Sequence, residues 1–332
     1  MNRTIVCFVV EPAKGLCYNL DALKVIMEGE QIMKKQGEIS AKPFVKWAGG
    51  KSQILCEIRK KYPMGLGIDI KKYAEPFIGG GAVLFDVLNH YPLDEVYISD
   101  INRELIHAYV SIRDSVDELV GILKGIESVY LLSSDDERKN IYYEKRDRFN
   151  TLKTKRNNSL ELAALFVFLN RTCFNGLYRV NSKGGFNVPQ GRYKNPCICD
   201  ENNLRVVSQK LQRVSIICGD YKLASNFIDD KTFAYFDPPY RPLSATANFT
   251  SYAQDSFCDT AQAELAAFID AMSVRGTRIV ASNSDPKNLD EDDNFFDILY
   301  SEHNISRIQA SRAINSNASK RGKINELLIA NA

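Results

Sequence analysis

The densest chemistry in this 332-residue chain is Asp237-Pro238-Pro239-Tyr240. It directly follows Thr232-Phe233-Ala234-Tyr235-Phe236, an aromatic-rich run that reads as a buried strand. A carboxylate, two prolines and an aromatic at a strand's carboxyl end stand where α/β folds bind ligands. The set suits methylation of an exocyclic amine. The N6 lone pair of adenine is delocalised into the ring, so that amine is a poor nucleophile. Asp237 can accept one N6 hydrogen and the Pro238 carbonyl the other. Two such acceptors favour a pyramidal nitrogen and stabilise positive charge developing on it. Pro239 excludes the α region at residue 238 and so directs that carbonyl. Tyr240 can stack on the base. Taken alone, the tetrapeptide would serve equally as a strand ending in a proline turn.

A second constellation is Glu75-Pro76-Phe77-Ile78-Gly79-Gly80-Gly81, placed between a strand and a helix. Glycines let a backbone turn tightly and approach a ligand closely. Asp100 lies 21 residues after Gly79, at the tip of the next strand, where an acid can accept hydrogen bonds from ribose hydroxyls. Each could be plain structure, a tight turn and a helix N-cap. Together they favour a nucleoside-type cofactor without choosing between NAD and S-adenosylmethionine (SAM). Trp47-Ala48-Gly49-Gly50-Lys51-Ser52 ends like a phosphate loop, but the Walker pattern needs glycine where Val45 stands, so an NTPase is rejected.

These groups need a scaffold, and from Tyr73 the pattern supplies one. Strands are expected over 73–77 and 95–99, helices over 82–90 and 104–113, which is the doubly wound α/β succession. The middle, roughly 116–205, is different. Helices are expected over 117–128, 136–152 and 160–169, followed by a polar, loop-rich hairpin from Cys173 to Lys194. Strands return at 214–218, 233–236 and 278–281. A helical insert within an α/β domain fits this order.

Composition bounds the class. Apolar residues make up 45% and charged residues 25%, a globular mix that excludes a disordered, collagenous or coiled-coil chain. No apolar run approaches a membrane span, and no secretory signal is read in Ile5 to Val10. The eight cysteines (Cys7, Cys17, Cys56, Cys173, Cys197, Cys199, Cys218 and Cys258) hold no C-x-x-C pair, and there are three histidines. Reduced thiols in the cytoplasm and no metal site are expected.

The formal charge of 43 − 41 = +2 hides segregation. Arg138 to Arg156 holds eight basic and two acidic residues; Arg171 to Asn195 holds five basic and no acidic ones, as does His303 to Asn325. One-sided windows lean toward a polyanion partner. Tyr142, Tyr143, Phe149, Phe174, Tyr178, Phe186 and Tyr193 are interleaved with them, and aromatics so placed can stack on bases or belong to the core.

Lys46-Trp47-Ala48-Gly49-Gly50-Lys51, then the glycine turn, then Asp237-Pro238-Pro239-Tyr240, resembles in order the motifs of Dam-type DNA adenine-N6 methyltransferases. The resemblance spans about 41–330, with Asn170-Arg171 through Tyr193 and Leu243 to Thr250 resembling the GATC-recognising branch. It implies a Rossmann-like SAM-dependent methyltransferase core (41–115 and 206–332) carrying an inserted helical and β-hairpin target-recognition domain (116–205). It also implies adenine flipped from duplex GATC and methylated by direct in-line transfer.

By the same resemblance Asp237, Pro238 and Tyr240 are catalytic. Trp47, Ala48, Gly49, Lys51, Phe77, Gly79, Gly81, Asp100, Asp220, Tyr221 and Asp237 border the cofactor. Arg179 would be bidentate to a guanine. Leu177 and Pro189 would meet a thymine methyl, and Phe174 and Asn175 would fill or prop the gap left by the flipped base. Lys46 and Tyr193 would attend the outer base pair, while Arg171 and Arg192 complete the DNA-binding set, Arg192 on phosphate. Glu75 replaces the Asp often found before Pro-Phe.

Ser306 to Lys323 is expected to be a hairpin with residues 315–321 at its tip near the DNA backbone. A loop from Tyr240 to Phe257 is expected to order over cofactor and base. A monomer is expected, with no membrane partner. Residues 1–40 carry no motif, and Glu28-Gly29-Glu30 before Met33 suggests a native start at Met33. The weighed alternatives are the same chemistry on another DNA sequence or on RNA, a nicotinamide-dependent dehydrogenase, and a DNA-binding protein without catalysis.

Overall fold

The computed structural model describes residues 40–241, 257–311 and 323–331. Strands β1 (Lys72–Pro76), β2 (Glu95–Asp100), β3 (Val214–Cys218), β4 (Thr232–Phe236), β5 (Arg278–Ser284), β6 (Asn304–Ser311) and β7 (Lys323–Ala330) form one sheet in the order β3-β2-β1-β4-β5-β7-β6. The run β3-β2-β1-β4-β5 is parallel, and β7 lies antiparallel between β5 and β6. The helices are α1 (Leu55–Arg59), α2 (Ala82–His90), α3 (Arg103–Asp114), α4 (Val116–Leu132), α5 (Asp135–Thr154), α6 (Leu160–Thr172), α7 (Glu201–Leu211), α8 (Asp259–Val274) and α9 (Phe295–Leu299). This is the expected α/β class, with a Rossmann-like parallel run in its sheet.

The strand order decides where a site can form. From β1 the chain proceeds outward through β2 to β3; from β4 it proceeds the other way to β5. The reversal lies between β1 and β4, which pair in parallel with Ala74 beside Ala234. A crevice opens at such a switch point, beyond the strands' carboxyl ends. Those ends are Pro76, which leads into the glycine turn, and Phe236, which leads into Asp237. Every residue of β4 is buried, so an apolar run without alternation is the correct pattern for a central parallel strand. Pro238 and Pro239 lack the N–H needed to extend the ladder.

Between β2 and β3 the chain builds a helical layer. In α6, residues from Leu162 to Asn170 are all buried, as expected for a helix apolar on every side. It packs against α3, α4 and α5, and α3 carries the layer onto β2 and β3. Ser159 caps α6 on Leu162, and Ser134 with Glu137 forms a capping box at the start of α5.

Three boundaries differ from expectation for identifiable reasons. β1 stops at Pro76 because Phe77 has φ 69, a left-handed conformation that a strand cannot hold. α4 runs on to Leu132 because Tyr130 packs edge-on against Phe168 of α6, with ring centroids 5.4 Å apart. β5 continues through polar Ser282-Asn283-Ser284 because β7 pairs with it to Glu326. The expected strand pair near the C-terminus is present as β6 and β7. Residues 1–39, the segment Leu243 to Thr250 and the tip at 315–321 lie outside the described residues, as do residues 242–256 of the expected closing loop. No helix among the described residues is long and apolar enough to cross a membrane.

Candidate active site

A cleft of about 1250 Å³ opens at the switch point. Its walls come from Pro43, residues 45–52, the glycine turn, the tip of β2, Arg171, residues 175–178 and Asp237 to Tyr240. Sequence-distant motifs therefore share one cavity. Of the expected cofactor residues, Trp47, Ala48, Gly49, Lys51, Phe77, Gly79, Gly81, Asp100, Asp220 and Asp237 line it.

The glycine turn is shaped by its neighbours. Gly79 has φ +48, and a Cβ there would stand 2.7 Å from Cδ1 of Trp47, so only glycine fits. Asp100 holds the turn from the other side. Its Oδ2 accepts the Gly79 N–H at 3.2 Å and its Oδ1 the Asn102 N–H at 2.8 Å. Asn102, not Asp100, caps α3, which removes the N-cap alternative for Asp100. Burial raises the Asp100 carboxyl above the usual range, and the backbone N–H groups of Asn102, Gly79 and Ile101 pull it back. Asp220 accepts the Lys222 N–H at 2.9 Å and faces the cleft. Tyr221 is 5% exposed and stacks on Phe77 with centroids 5.3 Å apart. It supports Phe77 in its strained backbone rather than lining the cleft.

The tetrapeptide Asp237 to Tyr240 is held by a network that the sequence did not disclose. An ammonium has three hydrogens to donate. Two of those of Lys51 go to the Gly49 carbonyl at 2.6 Å and the Tyr240 hydroxyl at 2.9 Å, and its charge pairs with Asp237 Oδ1 at 2.7 Å. The Ser282 hydroxyl also donates to Asp237 Oδ1, at 2.9 Å, and itself accepts from the Tyr235 hydroxyl at 3.0 Å. The ammonium and the Ser282 hydroxyl both converge on Oδ1, and among the described residues Oδ2 accepts no hydrogen bond. Tyr240 donates to Glu326 Oε2 at 3.0 Å. Burial, then the charges of Asp237 and Glu326, keeps the Tyr240 phenol protonated far above its ordinary range. The buried Gln262 donates to the Pro239 carbonyl at 3.1 Å, while the Pro238 carbonyl accepts no hydrogen bond among the described residues. Beneath this network lies Glu75. Burial pushes its carboxyl up to about 8, against a hydrogen bond from Tyr73, with the charge of Asp237 adding to the rise.

Ser282, Glu326 and Gln262 were missed because nothing local marks them. The only available signal was the polar end of β5, Ser282-Asn283-Ser284, in a strand otherwise buried.

The expected DNA-binding residues divide. Lys46, Arg171, Asn175 and Leu177 line the cleft. Phe174, Arg179, Pro189, Arg192 and Tyr193 lie on the adjoining loop, where Cys173 bridges Gln190 and the Phe174 N–H reaches the Pro189 carbonyl at 2.9 Å. Phe174 is 53% exposed. Arg179 is exposed, with Nε on Asn187 Oδ1 at 2.9 Å. The Lys46 ammonium lies 4.9 Å from the centre of the Tyr193 ring, which brings the two expected partners together. Arg171 donates from Nε to the Phe44 carbonyl at 3.0 Å, so part of its guanidinium buttresses the cleft wall.

Several aromatics and charges that could have faced nucleic acid are engaged by the protein itself. Tyr142, Phe149 and Phe186 are core. Tyr178 stacks on Trp47 at 5.7 Å and donates to Glu104. In the first basic window, Arg138 binds the carbonyls of Tyr130, Leu131 and Lys194, Arg148 pairs with Glu161, and Lys153 pairs with Glu104. In the third, Arg307 is held by Asp285 and Asp297.

Residues 47–314 match the family described as D12 class N6 adenine-specific DNA methyltransferase. The chain is 47% identical over 295 residues to the Type II methyltransferase M.MjaIII of Methanocaldococcus jannaschii, covering 88% of this chain and 100% of that protein. It is 35% identical to the Type II methyltransferase M1.LlaDCHI of Lactococcus lactis, over 90% of this chain and 98% of that protein. With the DNA adenine methylase of Escherichia coli it shares 34% identity, over 86% of this chain and 93% of that protein. The dehydrogenase alternative and the non-catalytic one end here.

Proposed function

Because the chain belongs to the D12 class of N6 adenine-specific DNA methyltransferases, we propose that it uses SAM to methylate adenine N6 in duplex GATC, acting on a flipped base. The cleft suits this reading. Its volume exceeds the 300–1000 Å³ of common ligand sites and leaves room for a cofactor beside a base. The cradle of Gly79, Trp47 and Asp100, with Asp220 opposite, would hold SAM. When bound, that group supplies an electrophilic methyl on a sulfonium.

The chain's own residues do the rest. Asp237 Oδ2 accepts one N6 hydrogen and the Pro238 carbonyl the other. The amine nitrogen becomes pyramidal, its lone pair leaves conjugation, and positive charge growing on it faces a carboxylate. Tyr240, its hydroxyl pinned between Lys51 and Glu326, offers a fixed ring face for the base. Residues 116–205 act as the target-recognition insert within a core of 41–115 and 206–332. In that insert Arg179 reads a guanine, Leu177 and Pro189 a thymine methyl, and Lys46 with Tyr193 the outer pair, while Phe174 and Asn175 occupy the space of the flipped base. Arg171 and Arg192 attend the backbone.

The observation that carries this reading is the pinning of Asp237. An ammonium and a hydroxyl engage one oxygen, and among the described residues the other oxygen and the Pro238 carbonyl are left as acceptors, as a planar NH₂ group requires. The test is transfer of labelled methyl from SAM to a GATC duplex and to a duplex of the same bases permuted. Label on the GATC duplex alone, recovered as N6-methyladenine, is expected. Equal label on both would remove the site assignment and keep the chemistry. Label on neither, with SAM bound, would remove GATC as the target.

A further inference from the structure

Asn170 lies in the last turn of α6, after an unbroken buried apolar run from Leu162 to Leu169, and it is 4% exposed. A buried amide without partners is costly, so its contacts state what it is for. Oδ1 accepts the Lys46 N–H at 2.8 Å; Nδ2 donates to the Lys46 carbonyl at 2.8 Å and to the Gly176 carbonyl at 3.1 Å. The reversed amide would set N–H against N–H, so this network fixes its orientation. One side chain thus clamps both polar groups of the Lys46 main chain and ties them to the loop after α6.

Gly176 meets the same lysine from the other side. Its φ is +64, and a Cβ there would lie 2.6 Å from Lys46 Cδ and 2.7 Å from Lys46 Cβ. The lysine stem crosses the space that a side chain would take. Its ammonium then rests over Tyr193. Lys46 is held at its backbone, its stem and its tip. Both partners of Asn170 line the cleft rather than the core interior.

We infer that Asn170 and Gly176 are positioning residues for target choice. They set where the Lys46 charge stands relative to the loop bearing Asn175, Leu177 and Arg179. This rests on the reading of that loop as the target reader. Base readout needs contacts held to within about 0.5 Å, so a loosened Lys46 fails to discriminate before transfer itself fails.

The test uses the full chain as wild type, Asn170→Asp and Gly176→Ala. Aspartate is isosteric and keeps the acceptor for the Lys46 N–H, but it faces two carbonyls with an oxygen. Alanine at 176 displaces the lysine stem and leaves Asn170 intact, so the two variants act from opposite sides. Each is incubated with SAM and genomic DNA free of methyladenine, and methylated adenines are mapped by sequencing. The readout is the rate at the preferred sequence relative to sites one base pair away.

In both variants that ratio is expected to fall about tenfold, the loss of one base contact. Transfer at the preferred sequence under saturating DNA should change less than threefold. An unchanged ratio in a folded variant, or an equal loss at every sequence, would overturn the inference and leave Asn170 as a core amide. If the wild type methylates no adenine, the proposed function fails first.

Discussion

Replacing Lys51 by Met tests whether the pinned carboxylate makes the site. The substitution keeps the length of the side chain and removes two hydrogen bonds, to Gly49 and Tyr240, and the ion pair with Asp237. Breaking one partner of a buried ion pair costs about 3–5 kcal/mol. Asp237 keeps a fifth of its side chain exposed and keeps the Ser282 donor, so the loss falls below that range, at roughly 2–3 kcal/mol. That energy bounds how firmly the carboxylate is oriented. At 1.36 kcal/mol per decade it corresponds to a rate about 30- to 150-fold lower. The assay is single-turnover transfer of labelled methyl at saturating SAM and DNA, with both binding constants measured separately. Asp237→Ala serves as the reference and should lose transfer while retaining duplex binding. In Lys51→Met both dissociation constants should stay within threefold while the rate falls. A rate within threefold of wild type would refute the pinning argument. A loss residing wholly in SAM affinity would make Lys51 a cofactor contact instead.

Three further outcomes are expected. Arg179→Ala should lose about 1–3 kcal/mol of discrimination at one guanine, because Asn187 holds Nε and leaves the Nη pair for the base; an equal loss on all sequences, read from a panel of duplexes, would make it a phosphate contact. Gly79→Ala forces a left-handed alanine, about 1–2 kcal/mol, and drives a methyl into Trp47, so SAM should bind at least about tenfold weaker by calorimetry; unchanged affinity would separate the turn from the cofactor. Glu75 has a folded-state pKa raised to about 8 by burial, so the native state holds a proton that the unfolded chain has lost. Stability should therefore fall as pH rises from the ordinary carboxylate range to about 8, by up to about 1.4 kcal/mol per unit, and Glu75→Gln should flatten that decline in urea unfolding. A parallel decline in the variant would show that Glu75 is ionised in the fold.

Much of this was legible because the decisive features are local. A strand buried on both faces needs an unbroken apolar run, and Phe233 to Phe236 is one. The prolines that end it, and the glycines that permit positive φ at Gly79 and Gly81, act within a few residues of themselves. Helices α4, α5 and α6 were readable from periodicity, with ends shifted by up to four residues, the most where a packed Tyr130 extends α4.

The roles of polar and aromatic side chains were less legible. Tyr178 reads the same in a sequence whether it stacks on a base or on Trp47, because exposure is settled by neighbours far away in the chain. Arg138 and Arg148 likewise read as free charge until their carbonyl and carboxylate partners are known.

By itself, then, the sequence determined the family, the α/β class, the two motifs and their placement at strand ends, since each depends on residue type and short spacing. Only the tertiary structure decided how those motifs meet. Reversal of strand order between β1 and β4 brings Gly79 and Asp237 to one crevice. Pairing of β5 with β7 brings Ser282 and Glu326 to Asp237 and Tyr240. Asn170 reaches Lys46 across 124 residues of chain. Hydrogen bonds act over about 3 Å of space and take no account of distance along the chain, so the network that orients the Asp237 carboxylate exists only in the folded molecule.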